Sequence, residues 1–426
     1  MDWKIINQDV ISWARSYDGP LFHAIVCDPP YNLDTIKKRF GNKNAAPAKY
    51  GTDGVFQRSS RGFMGQEWDT DIAFQPLTWE LLGEVLYPGA LCMAFSSTRT
   101  YHRMATAIES AGFIIHPMIG WIQAQGFPKA TNISKLLDKR AGVEGPVVGV
   151  QKLTGTARIK GKIGTHSSAS HDGYETAEIR DQIELRGPAT DLAKIWQEHR
   201  YGLQALKPAF EPICVFQKPY DKVPLDSIVE TGAGTMWIDG NRVGIDAVPS
   251  NQFDDGMKPF GHGAGHSYTR TENSGRWPAN VILSGDVGLP YEKFFYCAKP
   301  RKEERDAGLE EFPDKERFTV KQGMTGISGD RKNAGKNQKS IPVGKSVVKN
   351  THPTVKPIKL TKHLTRLLLP PDEYSPRRLL VPFSGSGSEM IGGLLAGWDE
   401  IVGIEIEDSV CEIAVKRLEY WKNENR

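Results

Sequence analysis

The chain has 426 residues, 39% of them hydrophobic and 25% charged, which is the composition of a soluble globular protein with room for one large domain and a substantial insertion. Its 54 basic and 51 acidic side chains leave a formal charge of +3, so any polyanionic partner must be met by local clusters rather than by the chain as a whole. Five cysteines (Cys27, Cys92, Cys214, Cys297 and Cys411), odd in number and without a close pair, exclude a disulfide scaffold or a zinc ribbon; four of them read as buried thiols among apolar neighbours.

The opening MDWKIINQDV lacks the long apolar run of a signal peptide, and no later run is long enough to cross a bilayer, which predicts a cytoplasmic setting without a membrane partner. Residues 21–27, LFHAIVC, form an apolar run stopped by Asp28-Pro29-Pro30-Tyr31, because two prolines lack donors and constrain the backbone before them. This pattern predicts a buried parallel strand with a tight loop at its carboxyl end. Residues 39–68 are rich in Gly, Lys, Asn and Ser and read as a loop ending near Trp68-Asp69, a pair placed to close over a ligand or to pack in the core. Ala90–Phe95 reads as a strand, Tyr101–Ser110 as a helix and Phe113–Trp121 as a strand. Residues 145–187 are polar and read as an insertion or flap, and Pro212–Phe216 again reads as a buried strand.

Residues 221–350 are Gly- and Asn-rich, with an aromatic patch at Phe294–Tyr296. Regular alternation then returns. Ile358–Leu369 reads as a helix, Arg378–Phe383 as a strand, Ser388–Ala396 as a helix weakened by Gly392 and Gly393, and Glu400–Ile406 as a strand. Val410, Ile413, Ala414, Leu418 and Trp421 recur at helical spacing in a last helix. A doubly wound, mostly parallel α/β sheet is thus assembled from both ends of the chain, residues 1–220 and 351–426, around the insertion 221–350.

Two loops carry chemistry. In RRLLVPFSGSG, Gly385 and Gly387 follow a strand, where missing side chains let a ligand approach the backbone. Glu405 stands 18 residues after Gly387, at the end of the next strand, where a carboxylate can accept from both hydroxyls of an adenosine ribose. The dinucleotide fingerprint needs a third glycine where Met390 stands, and a phosphate loop ending at Gly344-Lys345-Ser346 has Lys339 in place of its first glycine. The segment DPPY suits a different task. An exocyclic base amine is a weak nucleophile because its lone pair is delocalised into the ring. Asp28 and the carbonyl of Pro29 can accept its two hydrogens, and Tyr31 offers a ring on which a base stacks.

DPPY at 28–31 together with FSGSG at 383–387 resembles the amino-methyltransferases of DNA. The order of the two along the chain is similar to that of their beta class, in which the catalytic loop comes first, a target-recognition region follows and the glycine loop comes last. THPTVKP at 351–357 and KPAFEPICVFQKP at 207–219 resemble further segments of that family. Val381 replaces the usual aspartate of the glycine loop, Ser388-Glu389 replaces a threonine pair, and Gln8 replaces a glycine before Asp9.

The resemblance implies a circularly permuted, Rossmann-like fold of the S-adenosylmethionine-dependent methyltransferase type. It implies a catalytic set of Asp28, Pro29, Pro30 and Tyr31, and a cofactor set of Asp9, Lys356, Pro357, Phe383, Gly385, Gly387 and Glu405, with Asp9 accepting from the adenine amine of the cofactor. It also implies duplex DNA as substrate with 221–350 as target-recognition region, direct transfer without a metal, and a homodimer. Aspartate at the head of DPPY resembles the adenine-N6 enzymes, whereas serine is commoner in cytosine-N4 ones. The alternatives are methylation of cytosine N4, methylation of RNA, and a DNA-binding regulator that has lost catalysis.

His262 and His266 in GHGAGH read as loop rather than as a metal site. Phe127-Pro128-Lys129 with Asn132 reads either as a loop edge facing DNA or as a helix cap. Residues 317–350 hold eight basic side chains (Arg317, Lys321, Arg331, Lys332, Lys336, Lys339, Lys345 and Lys349) against Asp330 alone, a local formal charge of +7. Broken by five glycines, this stretch reads as a pliable basic arm whose Lys332, Lys336 and Lys339 contact phosphates.

Overall fold

A computed structural model describes the protein over residues 2–31, 70–123, 128–152, 159–160, 178–179, 182–247, 274–284, 295–297, 299–318, 345–350, 352 and 354–424. The first half runs β1 (Asp2–Asn7), α1 (Val10–Ser16), β2 (Phe22–Cys27), α2 (Pro76–Glu84), β3 (Leu86–Phe95), α3 (Tyr101–Ser110), β4 (Ile114–Gln123) and α4 (Ile133–Ala141). The antiparallel pair β5 (Val147–Lys152) and β6 (Gln182–Arg186) follows, then β7 (Phe210–Gln217), α5 (Pro224–Thr231), β8 (Val281–Ser284), β9 (Phe295–Tyr296) and α6 (Lys302–Asp306). The chain ends with α7 (Ile358–Leu367), β10 (Arg378–Pro382), α8 (Ser388–Ala396), β11 (Glu400–Glu405) and α9 (Asp408–Glu424).

Nine strands form one sheet in the order β1-β11-β10-β2-β3-β7-β4-β8-β9. Strand β7 runs antiparallel to both β3 and β4, and the other neighbours are parallel, so the predicted doubly wound, mostly parallel sheet is present. All six residues of β2 are buried. Ala24 and Val26 face one core with α7 and α8, while Ile25 and Cys27 face another with Trp79 and Leu82 of α2 and Met104 and Ile108 of α3. Period-two alternation buried on both faces is why the run reads as continuously apolar.

Three details modify the sequence reading. Asp2–Asn7 is an edge strand that the apolar pattern did not reveal, since it is only partly covered. Gly392 and Gly393 do not weaken α8 without return. A Cβ on Gly392 would lie 2.5 Å from the backbone of Thr361, and one on Gly393 would lie 2.6 Å from Leu379, so they allow α8 to pack closely on α7 and on the sheet. Each costs ~1 kcal/mol of helix propensity, which close packing offsets. All five cysteines are buried and free.

Within 221–350, β8 pairs in parallel with β4 and β9 with β8, so part of this stretch is continuous with the main sheet. In the polar stretch 145–187, β5 and β6 form a largely exposed antiparallel ribbon. Lys315–Phe318 pairs antiparallel with Lys345–Val348, Lys315 opposite Val348 and Phe318 opposite Lys345. Among the described residues no helix is long and apolar enough to cross a membrane, and no cluster of three or more potential ligands could hold a metal.

Candidate active site

The site lies at the seam between β2 and β10. Leu380 pairs with Ile25, which brings the ends of these strands level, and His23 Nδ1 accepts from the amide of Arg378 at 3.0 Å across the seam. The loops that begin at Asp28 and Phe383 therefore leave the sheet side by side. On the other flank of β10, Pro382 pairs with Ile404, which places Glu405 beside the glycine loop. This is the carboxyl edge of a doubly wound sheet, where open α/β folds bind ligands.

The first loop is held by charge. Lys356 Nζ lies 2.8 Å from Asp28 Oδ2 and 2.8 Å from Glu211 Oε1. The Tyr31 hydroxyl lies 2.6 Å from Asp28 Oδ1 and 3.0 Å from Glu211 Oε1, its one proton between two carboxylates, and accepts from Lys356 at 3.2 Å. Gln123 Nε2 donates to Glu211 Oε2 at 2.8 Å. Burial raises the pKa of Asp28; Lys356 opposes the shift and Glu211 adds to it. Burial alone would depress Lys356, but Asp28 and Glu211 reverse this and hold it above the ordinary lysine range. Tyr31 is pushed far above the usual phenol range by burial and by the same two carboxylates, so it stays a neutral donor.

The second loop is held by backbone geometry. Phe383 adopts φ 58°, Gly385 φ 49° and Gly387 φ 79°, a run of left-handed conformations that turns β10 into α8. A Cβ on Gly385 would meet the His352 ring at 3.0 Å, and one on Gly387 would meet Ala414 at 3.2 Å. Glu405 Oε2 accepts from the amide of Gly385 at 2.8 Å and Oε1 from the amide of Glu407 at 2.9 Å. Each oxygen keeps lone-pair capacity for a further donor, which fits a ribose diol. Burial raises the Glu405 pKa, and the amide hydrogen bonds oppose that shift. Arg417, fully buried in α9, donates to the carbonyl and hydroxyl of Ser386 and to the hydroxyl of Ser388.

The structure brings Asp28, Pro29, Pro30, Tyr31, Phe383, Gly385, Gly387 and Glu405 to one edge, and gives other residues contacts that the sequence reading did not include. Lys356, read as a cofactor contact, bridges the carboxylates of Asp28 and Glu211, because α7 starts directly after Pro357 and carries it toward β2. Pro357 caps α7, with its carbonyl accepting from Leu360 and Thr361. Asp9 caps α1, accepting from the amide and hydroxyl of Ser12. Asn132 caps α4, accepting from the amide of Lys135, so the capping alternative describes it. Lys349 is not a free member of the basic arm: its ammonium donates to the carbonyls of Glu310 and Phe312. Trp68, Asp69, Phe127, His262, His266, Lys332, Lys336 and Lys339 lie outside the described residues.

Four residues missed in the sequence reading belong to the site. Glu211 and Gln123 complete the charged cluster. Glu389, in the first turn of α8, is buried, and burial followed by the nearby Asp28 raises its pKa to about 8. Arg417 fixes the glycine loop. The signal for Arg417 was present, since it falls on the face of Val410, Ile413, Ala414 and Leu418, where a charge has to find internal partners. Glu304 of α6 supports the site from behind, accepting from the amide of Ile358 at 2.7 Å.

Fold and site together define an α/β protein with a glycine loop, a carboxylate beside it and a buried charged cluster at the carboxyl edge of its sheet. The family model described as DNA methylase, of the N6/N4 type, matches residues 22–416, and the chain belongs to this family. The chain is similar to the type II methyltransferase M.HindIII of Haemophilus influenzae, 25% identical over 151 residues, which is 33% of this chain and 49% of that protein. The match thus spans about half the length of that relative. Similar solved structures include the cytosine-N4-specific PvuII DNA methyltransferase (TM-score 0.41, 9% identity, covering 100% of this chain and 92% of that one). Another is a putative DNA modification methylase from Thermus thermophilus (TM-score 0.35, 11% identity, covering 98% and 95%).

Proposed function

We propose that the protein transfers a methyl group from S-adenosylmethionine to the exocyclic N6 amine of adenine in duplex DNA. The observation that carries this reading is the adjacency of Asp28 and the glycine loop on neighbouring strands, with Glu405 on the next. Membership of the DNA methylase family supports the substrate class, and the aspartate of DPPY supports adenine over cytosine.

The bound cofactor supplies an electrophilic methyl group on a sulfonium. Glu405 accepts from the ribose hydroxyls, and the glycine loop admits the nucleoside close to the backbone. The target base leaves the helix at a cost of a few kcal/mol, repaid in part by stacking on Tyr31. Asp28 and the Pro29 carbonyl accept the two amine hydrogens and keep the nitrogen lone pair available. That lone pair forms the new N–C bond as the C–S bond breaks with its electrons returning to sulfur. The nitrogen, briefly cationic, then releases one proton through Asp28 to solvent.

Incubation with methyl-labelled cofactor and mixed-sequence duplex DNA, followed by nuclease digestion and mass spectrometry of the nucleosides, tests this directly. N6-methyladenine is expected; N4-methylcytosine alone would overturn the base assignment, and no transfer by cofactor-bound protein would overturn the reading. Asp28→Ala is expected to lower transfer by roughly 10²–10⁴-fold while cofactor affinity, read by calorimetry, stays within about threefold. Neutralising Lys332, Lys336 and Lys339 together should weaken binding of cognate and unrelated duplexes alike. It should also lower the slope of log K against log salt by at most ~3; an unchanged slope would refute phosphate contact by these lysines.

A further inference from the structure

We infer that Glu211 is the positioning residue that leaves the amine pocket with a surplus of negative charge, acting through Lys356 and Tyr31; this rests on the reading of Asp28 given above. Asp28 and Lys356 stand 2.8 Å apart, and as an isolated pair their charges would cancel. A neutral pair offers little to an amine that becomes cationic as its N–C bond forms. Glu211 changes this balance, because its Oε1 lies 2.8 Å from the same ammonium. Two carboxylates then share one cation, and the cluster carries a formal charge of −1.

The fold delivers Glu211 by reversing one strand. Being antiparallel to β3 and β4, β7 starts where they end, so Glu211, its second residue, lies at the functional edge. Gln123 at the end of β4 holds Oε2 and leaves Oε1 to Lys356 and Tyr31. The Lys356 ammonium also lies over the Phe95 ring, 4.6 Å from its centroid, which keeps it in place when one carboxylate turns to a substrate.

The surrounding groups leave this balance intact. Glu389 on α8 is held largely uncharged at neutral pH by burial, and His352, pushed down to about 3 by burial, is neutral. The Cys27 thiol is raised by burial and Tyr31 is a neutral phenol. Arg417 is committed to the glycine loop. Lys299, half-buried in the segment before α6, is attracted by Glu211 and repelled by Lys356, and forms no ion pair with Glu211 among the described residues.

Charge and packing make opposite predictions. Single-turnover transfer to duplex DNA at saturating S-adenosylmethionine, followed against pH, reads the charge, and calorimetry with S-adenosylmethionine reads the fold. Glu211→Gln should bind cofactor within about threefold of the parent and transfer roughly 10- to 100-fold more slowly on the pH plateau. Its acid limb should move to lower pH, because removing a like charge lets Asp28 ionise more readily. The double variant Glu211→Gln with Lys356→Met leaves a single negative charge on Asp28 above an acid limb that loss of the cation moves to higher pH, and above that limb should transfer faster than Glu211→Gln alone despite having lost more contacts. A double variant slower than the single one overturns the inference. So does a Glu211→Gln protein with the parental rate and limb, or one that no longer binds cofactor, which would make Glu211 a packing residue. Transfer that survives Asp28→Ala would instead overturn the reading of the site, whatever Glu211 does.

Discussion

The two loops at the seam reach the same edge of the sheet by opposite means. The glycine loop owes its shape to backbone conformations, with Phe383, Gly385 and Gly387 all at positive φ and amide or carbonyl contacts to Glu405 and Arg417. Among the described residues of the DPPY loop, Asp28–Tyr31, none is at positive φ, and their arrangement comes from side chains delivered by distant segments, Glu211 from β7 and Lys356 from just before α7. A ligand that must be gripped closely is met by atoms that cannot rotate away. The charged cluster is met by side chains, which keep rotatable bonds.

Substitutions can separate the two modes, and the largest effect on cofactor affinity belongs to the backbone-built loop. Gly387→Val places a β-branched side chain at φ 79° and drives its Cβ against Ala414. Cofactor affinity, measured by calorimetry, should fall by at least ~100-fold, about 2.7 kcal/mol; near-parental affinity would show that the loop's shape does not depend on that conformation. A smaller and different effect is expected from Tyr31→Phe, which removes the hydroxyl between Asp28 and Glu211. Cofactor affinity should hold while the single-turnover rate falls by roughly tenfold, about the value of one charge-assisted hydrogen bond. If both parameters fell together, the loops would not be separable.

The smallest effect is on stability and concerns the seam itself. His23 accepts a hydrogen bond as a neutral ring, and burial lowers its pKa to about 4, below the ~6.5 of an unfolded chain. The neutral form is therefore favoured in the fold. Its contribution is full above the unfolded value and is lost as pH falls from ~6.5 toward 4. His23→Gln should flatten the dependence of melting temperature on pH in that window; an unaltered slope would show that His23 does not link the seam to acid.

Legibility followed the same division. The glycine loop, DPPY and the strands beneath them could be read because local chemistry dictates them: prolines stop a run, glycines permit positive φ, and buried strands are apolar throughout. Lys356 could be located and was read as a cofactor contact, since nothing in THPTVKP says that its ammonium will meet Asp28 and Glu211. Glu211 was hidden in a segment read as framework, although a charge opening an otherwise buried strand is a usable signal once that strand is known to run backwards. Strand β1 escaped because an edge strand with one half-covered face has little apolar contrast to show. The helix-capping contacts of Asp9 and Asn132 illustrate the converse, since these residue types serve helix ends far more often than they serve ligands.

The short ladder between Lys315–Phe318 and Lys345–Val348 has a consequence for how the seat of Lys356 is shielded. Its base is pinned where Asp306 accepts from the amides of Lys349 and Asn350, a few residues before Lys356. The segment that carries the lysine beside Asp28 is thus moored to α6 before it reaches the seam, so a disturbance entering through residues 345–348 meets a hydrogen-bonded anchor before it meets the charged cluster.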